Sequence, residues 1–283
     1  MEFTFESLTR GLRVDRSELE HTIRTVVPAD RKYVVLFTPR SGSSWLTSLL
    51  SGVDCLGRPE EYLNPAFLRD VAQALNCTAR AELFPALLRK CKTDNGVFGI
   101  EVRYTDIGLF GEENFLEGIG SDALFYYLWR DNIVAQGVSL YRAVTTGKWH
   151  STDGRSEAAP AAYDAAAIKE WIEHIQQIET ANFDLLCRRG IPGRFLRYED
   201  IVQDETATLQ AFSQPLLGRA VLSSAVLKSA ARPRRMADEW NAEVEERFRH
   251  EMADFVREAY ATRLTKHLAD FATKVVERCR SST

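Results

Sequence analysis

Short apolar runs alternate with apolar stripes at helical spacing along the chain, the pattern expected where strands interleave with helices. Residues 16–27 carry helical periodicity and stop before Pro28, after which Asp30-Arg31-Lys32 supplies a polar turn. Tyr33-Val34-Val35-Leu36-Phe37-Thr38 is a continuous β-branched and aromatic run. It is too short for a helix and too apolar for a half-exposed strand, so it predicts a strand at the centre of a parallel sheet. Ser44–Leu50 then reads as a helix that stops at Gly52. Further helices are expected at 65–75, 79–92, about 132–145 and 164–189, and further strands at 97–104, 123–130 and 193–201. This order predicts an α/β fold built on a doubly wound parallel sheet flanked by helices.

Beyond Trp240, the residues Val244, Phe248, Met252, Val256, Tyr260, Leu264, Leu268, Phe271 and Val275 recur mostly every fourth position. They predict one long C-terminal helix over 240–283 with a single apolar stripe. One stripe is what any docked helix needs, so its expected partner is the domain's own core, with a homodimer contact as the alternative. Residues 1–30 read as an N-terminal helical extension, and 1–283 as a single domain. The Gly-, Ser- and Ala-rich stretch 147–163 reads as a loop able to act as a lid.

Charge narrows the function. With 36 Lys and Arg against 40 Asp and Glu, the net charge of −4 argues against a nucleic-acid partner, so any anion site must be local. Five cysteines without a CxxC pair point to reduced thiols in a cytoplasmic protein and to no metal site. Neither an export signal nor a run of about 18 apolar residues is visible, so no membrane span is expected.

The segment after the first strand, Thr38-Pro39-Arg40-Ser41-Gly42-Ser43-Ser44-Trp45, has the composition of an oxyanion loop. A strand that restarts as a helix leaves backbone N–H groups at the positive end of the helix dipole. Gly42 permits close approach, three serines add donors, and Arg40 offers a permanently charged fork. A GxxxxGK[ST] loop would need a second glycine and a lysine, and both are missing, which disfavours ATP hydrolysis. Ser-Gly-Ser alone also reads as a plain helix cap.

The full octet behind an apolar strand resembles the 5′-phosphosulfate loop of sulfotransferases that use 3′-phosphoadenosine-5′-phosphosulfate (PAPS), which implies a P-loop-like form of the fold. By that resemblance Arg40 contacts the phosphosulfate and serves catalysis, while Ser41, Gly42, Ser43, Ser44 and Trp45 cradle the 5′-phosphate. Arg130 and Ser139, within Trp129-Arg130-Asp131-Asn132-Ile133-Val134-Ala135-Gln136-Gly137-Val138-Ser139-Leu140-Tyr141, resemble the family's 3′-phosphate motif. Arg234 and Arg235 match basic C-terminal segments that close over that phosphate, although a solvated basic turn is an equal reading. Tyr198-Glu199-Asp200 also matches a recurrent sulfotransferase stretch, yet reads equally well as a strand end and helix cap, with no catalytic role.

The order of the loop, Gly57-Arg58-Pro59-Glu60-Glu61-Tyr62 and Asn95-Gly96-Val97-Phe98-Gly99 resembles the bacterial trehalose 2-sulfotransferase family over residues 33 to about 240. The family's general base falls on Glu61, with His150 and Glu101 as competing bases. Glu101 stands where that family usually has lysine, which separates sulfuryl transfer, the firmer implication, from trehalose as acceptor. The resemblance therefore implies PAPS as donor, adenosine 3′,5′-bisphosphate as product, a small hydroxyl acceptor such as a carbohydrate or glycoconjugate, and no metal. A small-molecule kinase and a non-catalytic nucleotide-binding protein are the alternatives.

Overall fold

A computed structural model describes residues 4–149, 161–221 and 239–263. The chain opens with α1 (Phe5–Thr9) and α2 (Arg16–Thr25), enters β1 (Arg31–Leu36), and continues through α3 (Ser43–Ser51), α4 (Pro65–Ala74) and α5 (Arg80–Lys90) to β2 (Val97–Val102). Helices α6 (Tyr104–Phe110) and α7 (Glu112–Ile119) lead to β3 (Leu124–Trp129), and α8 (Ile133–Thr146) and α9 (Ala165–Arg189) to β4 (Gly193–Arg197). The last elements are α10 (Tyr198–Gln203), α11 (Glu205–Leu217), α12 (Glu239–Glu251) and α13 (Ala253–Thr262). The expected α/β class holds: the four strands form one parallel sheet in the order β2-β1-β3-β4, flanked by helices. Strands β1 and β2 run in register from Arg31↔Val97 to Leu36↔Val102.

Several expectations shift. Strand β1 ends at Leu36, so Phe37 and Thr38 already belong to the loop that follows. The strand expected over 193–201 stops at Arg197, and Tyr198 opens α10, where Glu199 and Asp200 in the first turn suit the helix dipole. Instead of one long helix after Trp240, the described part holds two, broken at Met252 (φ −113°, ψ 32°). A strict four-residue step advances about 40° around a helix of 3.6 residues per turn, so a straight helix would wind its stripe off the partner. With the break, Val244 and Phe248 from α12 and Ala259 from α13 enter one cluster with Ile168, Ile172 and Ile175 of α9. Residues 264–283 lie outside the described residues, as do 150–160 of the expected lid.

The described residues cluster into two compact units, one drawn from 4–36, 49–126 and 204–221, the other from 37–48, 127–149, 161–203 and 239–263. In the first, Tyr33 on β1 is the hub. Its ring meets Tyr126 and Phe212 edge-on at 6.0 and 5.3 Å, those two stack at 4.0 Å, and its hydroxyl donates to Leu56 O at 2.8 Å. Gly99 makes room for that ring, since a Cβ there would lie 2.3 Å from Tyr33 Cζ. In the second unit, α8 and α9 pack closely because a Cβ on Gly137 would lie 2.4 Å from Ile172 Cγ1. Among the described residues no helix is long and apolar enough to cross a membrane.

Because Tyr33 is held by its hydroxyl and by two rings, it has little room to yield. Gly99→Ala is expected to destabilise the protein by about 1–3 kcal/mol, the usual cost of overpacking. Guanidinium denaturation checks this, with a lowered midpoint at unchanged slope as the expected result.

Candidate active site

The loop that leaves β1 is anchored from beneath before it turns. Asn182 of α9 donates to Phe37 O at 3.0 Å. The fully buried amide of Gln136 in α8 gives its Nε2 to Thr38 Oγ1 and Pro39 O, both at 2.8 Å. Ser41 N then bonds Thr38 O at 3.2 Å, and the backbone takes positive φ at Arg40 (64°) and Gly42 (98°). Trp45 N and Leu46 N close on Gly42 O and start α3. Among the described residues no backbone carbonyl takes the N–H groups of Gly42, Ser43 or Ser44. Donors left at the head of a helix, where the dipole is positive, form a cradle for an oxyanion.

One aromatic ring shapes this cradle. Tyr198, at the start of α10, lies against the bare α-carbon of Gly42, where a Cβ would sit 2.2 Å from its Cδ2. The Arg130 guanidinium stacks over the same ring, 5.0 Å from the centroid. Tyr198 thus sets both the loop and the arginine that follows β3. Arg40 reaches Ser139 Oγ through Nε at 3.0 Å and Trp149 O through Nη1 at 2.6 Å. Ser139 therefore meets Arg40, while Arg130 meets Tyr198. Among the buried polar atoms without a hydrogen-bond partner are two donors, Ser41 Oγ and Arg130 Nε, as well as Gln136 Oε1. Buried groups of this kind are uncommon and call for an explanation. The two donors lie beside further donors, a set that fits the anionic oxygens of a phosphate-bearing ligand. Arg234, Arg235 and His150 lie outside the described residues.

The other candidate residues belong to the first unit. The segment after Leu56 turns at Gly57 (φ 83°), where a Cβ would lie 3.2 Å from Gly99 N. It then docks on β2: Glu60 bridges to Ile100, Glu101 N donates to Glu60 O at 3.1 Å, and Tyr62 stacks on Phe98 at 5.8 Å. Glu61, half-buried, accepts a 2.7 Å hydrogen bond from Asn64 Nδ2 on its Oε2. The Asn64 Oδ1 caps α4 at Ala66 N, with Pro65 at the first helical position. A single side chain therefore starts a helix and orients the carboxylate.

Glu60 is exposed by area, yet desolvation among its neighbours, followed by repulsion from Glu61, raises its pKa, against a smaller pull from Arg58. Glu101, only 3% exposed, sits on β2 opposite Val35. Arg103, two residues further along, pairs with Asp106 at 2.8 Å through both Nε and Nη2.

Sequence reading assigned no role to Tyr198, Gln136, Asn182 or Asn64. The helix over 65–75 was expected, but the bond from Asn64 to Glu61 was not. The contacts of Tyr198 span 156 positions to Gly42 and 68 to Arg130, and no local spacing reports them.

Gly42→Ala places a side chain on positive φ and into the Tyr198 ring, so it is expected to weaken binding of a phosphate-bearing ligand, with inorganic phosphate as the probe, more than about tenfold, the equivalent of one charge-assisted hydrogen bond. Titration calorimetry in a double-mutant cycle with Tyr198→Ala checks the mechanism. If the ring contact is the cause, the alanine at 42 costs less once the ring is gone.

The model of the family described as Stf0 sulphotransferase matches residues 32–251. The trehalose 2-sulfotransferase of Mycobacterium tuberculosis is 23% identical over 251 residues, covering 75% of this chain and 93% of that protein. Among solved structures, the sulfotransferase domain of the Synechococcus PCC 7002 olefin synthase aligns with TM-score 0.42 and 14% identity, over 79% of this chain and 89% of that one. Because the family model spans most of the chain, from β1 through α12, the protein belongs to the Stf0 sulphotransferase family and is a sulfotransferase.

Proposed function

We propose that this sulfotransferase draws its sulfuryl group from PAPS and passes it to a hydroxyl of a small carbohydrate or glycoconjugate, with Glu61 as general base. The observation that carries the donor assignment is the pair of unpartnered buried donors, Ser41 Oγ and Arg130 Nε, joined through the Tyr198 ring that touches Gly42 and Arg130. Two donor groups, each with its own arginine nearby in the fold, suit a ligand that carries two separate phosphates. Arg40 with the head of α3 would take the 5′-phosphosulfate. Arg130 would take the 3′-phosphate, aided by Ser139 and, from the segment that follows α11, by Arg234 and Arg235.

In the reaction the acceptor oxygen bonds to sulfur as the bond between sulfur and the bridging oxygen breaks. The electron pair leaves on the 5′-phosphate of adenosine 3′,5′-bisphosphate. Arg40 and the N–H groups of Gly42, Ser43 and Ser44 offset the charge that grows there. Glu61 takes the acceptor proton, since a hydroxyl is a poor nucleophile until a base relieves it. Asn64 fixes one oxygen of that carboxylate and thereby orients the base, as the third member of a nucleophile–base–orienter set does. The acceptor class draws on the relative named for trehalose. Glu101, buried on β2 in the lysine's place, favours a different polyhydroxylated or cationic acceptor over trehalose itself.

A thermal shift assay tests the donor. Adenosine 3′,5′-bisphosphate should raise the melting midpoint, by linkage worth about 2.7 kcal/mol at 100 times the dissociation constant. A shift with ATP·Mg²⁺ and none with the bisphosphate would overturn the donor assignment. Glu61→Gln should cut turnover about 10²-fold or more at unchanged bisphosphate affinity, and Asn64→Ala should cut it by less. Full turnover in Glu61→Gln would remove that residue from the mechanism, and mass-spectrometric screening of hydroxyl compounds with PAPS identifies the acceptor.

A further inference from the structure

Arg263, the C-cap of α13, is only 3% exposed, and its whole guanidinium is spent on bonds inside the protein. Its Nε and Nη2 grip Glu179 of α9 at 2.9 and 2.5 Å, and both side chains are only 2% exposed. The same Nη2 donates to Arg130 O at 2.6 Å, and Nη1 donates to Asp131 O at 2.8 Å. One planar cation thus bridges a buried carboxylate and two successive carbonyls of the turn between β3 and α8.

The rest of that turn is held as thoroughly. Asp131 N donates to Glu199 Oε2 at 3.1 Å, and its carboxylate receives Trp129 Nε1 at 3.0 Å and Arg197 Nη1 at 2.8 Å. The Asn132 side chain caps α8 at Ala135 N, donates to Glu245 Oε1 at 2.8 Å and accepts from Arg249 Nη2 at 2.7 Å. Against this background, Arg130 Nε is buried without a partner. Fixing the peptide planes on either side of Asp131 fixes the direction in which the Arg130 side chain leaves the backbone.

We propose that Arg263 is a positioning residue for donor recognition: through the carbonyls of Arg130 and Asp131, with Glu179 as its counter-ion, it aims the Arg130 guanidinium at the 3′-phosphate. The assignment rests on the donor reading above and adds a residue from the C-terminal helices to it. Arg263 touches no substrate. A planar fork is required, because a lysine has the charge but not the geometry to meet a carboxylate and two carbonyls at once. Removing the arginine alone would strand Glu179 as a buried uncompensated charge, so the pair is altered conservatively or together.

The experiment compares dissociation constants for adenosine 3′,5′-bisphosphate and adenosine 5′-monophosphate, whose only difference is the 3′-phosphate. It uses the full chain in wild type, in Arg263→Lys, which keeps a cation opposite Glu179, and in the double variant Arg263→Met/Glu179→Leu. Wild type should favour the bisphosphate by more than about tenfold, the worth of one charge-assisted contact. In both variants that preference should fall towards one, through weaker bisphosphate binding at unchanged monophosphate binding. A merely structural role would weaken both ligands in step and leave the ratio at the wild-type value. An unaltered ratio in Arg263→Lys therefore overturns the proposal, whatever the stability of the double variant. A wild-type ratio near one would fail earlier and differently, by removing the donor reading itself.

Discussion

The absence of a side chain at position 42 is the constraint on which the anion loop depends. Because Gly42 has no Cβ, the Tyr198 ring can lie against the backbone at a distance no other residue would allow. The same ring carries the Arg130 guanidinium on its surface. A loop from the end of β1, a turn from the end of β3 and the head of α10 are thereby fixed to one another by a single aromatic plane. Adjacent strands β1 and β3 release their chains side by side, the arrangement in which open parallel sheets build their ligand crevices. The contact turns that general tendency into a specific shape.

Polar satisfaction then does what packing cannot. In the second unit the turn 130–132 is bonded by residues from β4, α10, α12 and the cap of α13, and the loop 37–41 by amides from α8 and α9. Hydrogen bonds in a medium of low dielectric are strong, and leaving one unmade is costly, so such networks admit few alternative arrangements. The first unit follows the same logic by itself. Gly57 and Gly99 leave room around Tyr33, the backbone of Glu60 pairs with β2, and Asn64 ties Glu61 to the start of α4.

Much of this was legible in the chain. The apolar run at 33–38 announced a buried central strand, and the Pro-Arg-Ser-Gly-Ser-Ser segment announced the turn from that strand into α3, because both are local patterns with a local physical cause. Arg130 and Ser139 were recognisable by resemblance alone. What spacing could not report were pairs distant in sequence: Tyr198 with Gly42, Gln136 with Thr38, and Arg263 with Glu179, 84 residues apart. The extension of the last strand through Tyr198 failed for a related reason. An apolar pattern does not reveal that Glu199 and Asp200 serve a helix dipole and the Asp131 amide instead. The single C-terminal helix failed at Met252 because periodicity describes a stripe and says nothing of the curvature of the surface beneath it.

Arg40 holds its place at φ 64°, a left-handed backbone conformation that glycine adopts freely and a residue with a side chain does not. The penalty for such a residue is roughly 1–2 kcal/mol. A glycine there would relax the backbone and lose the guanidinium that reaches Ser139. The loop therefore carries strain that keeps this contact in place, and selection for heat resistance alone would trade the contact for a relaxed backbone. Thermostable variants of this chain are best sought away from residues 38–45, where a gain in melting temperature carries no such ambiguity.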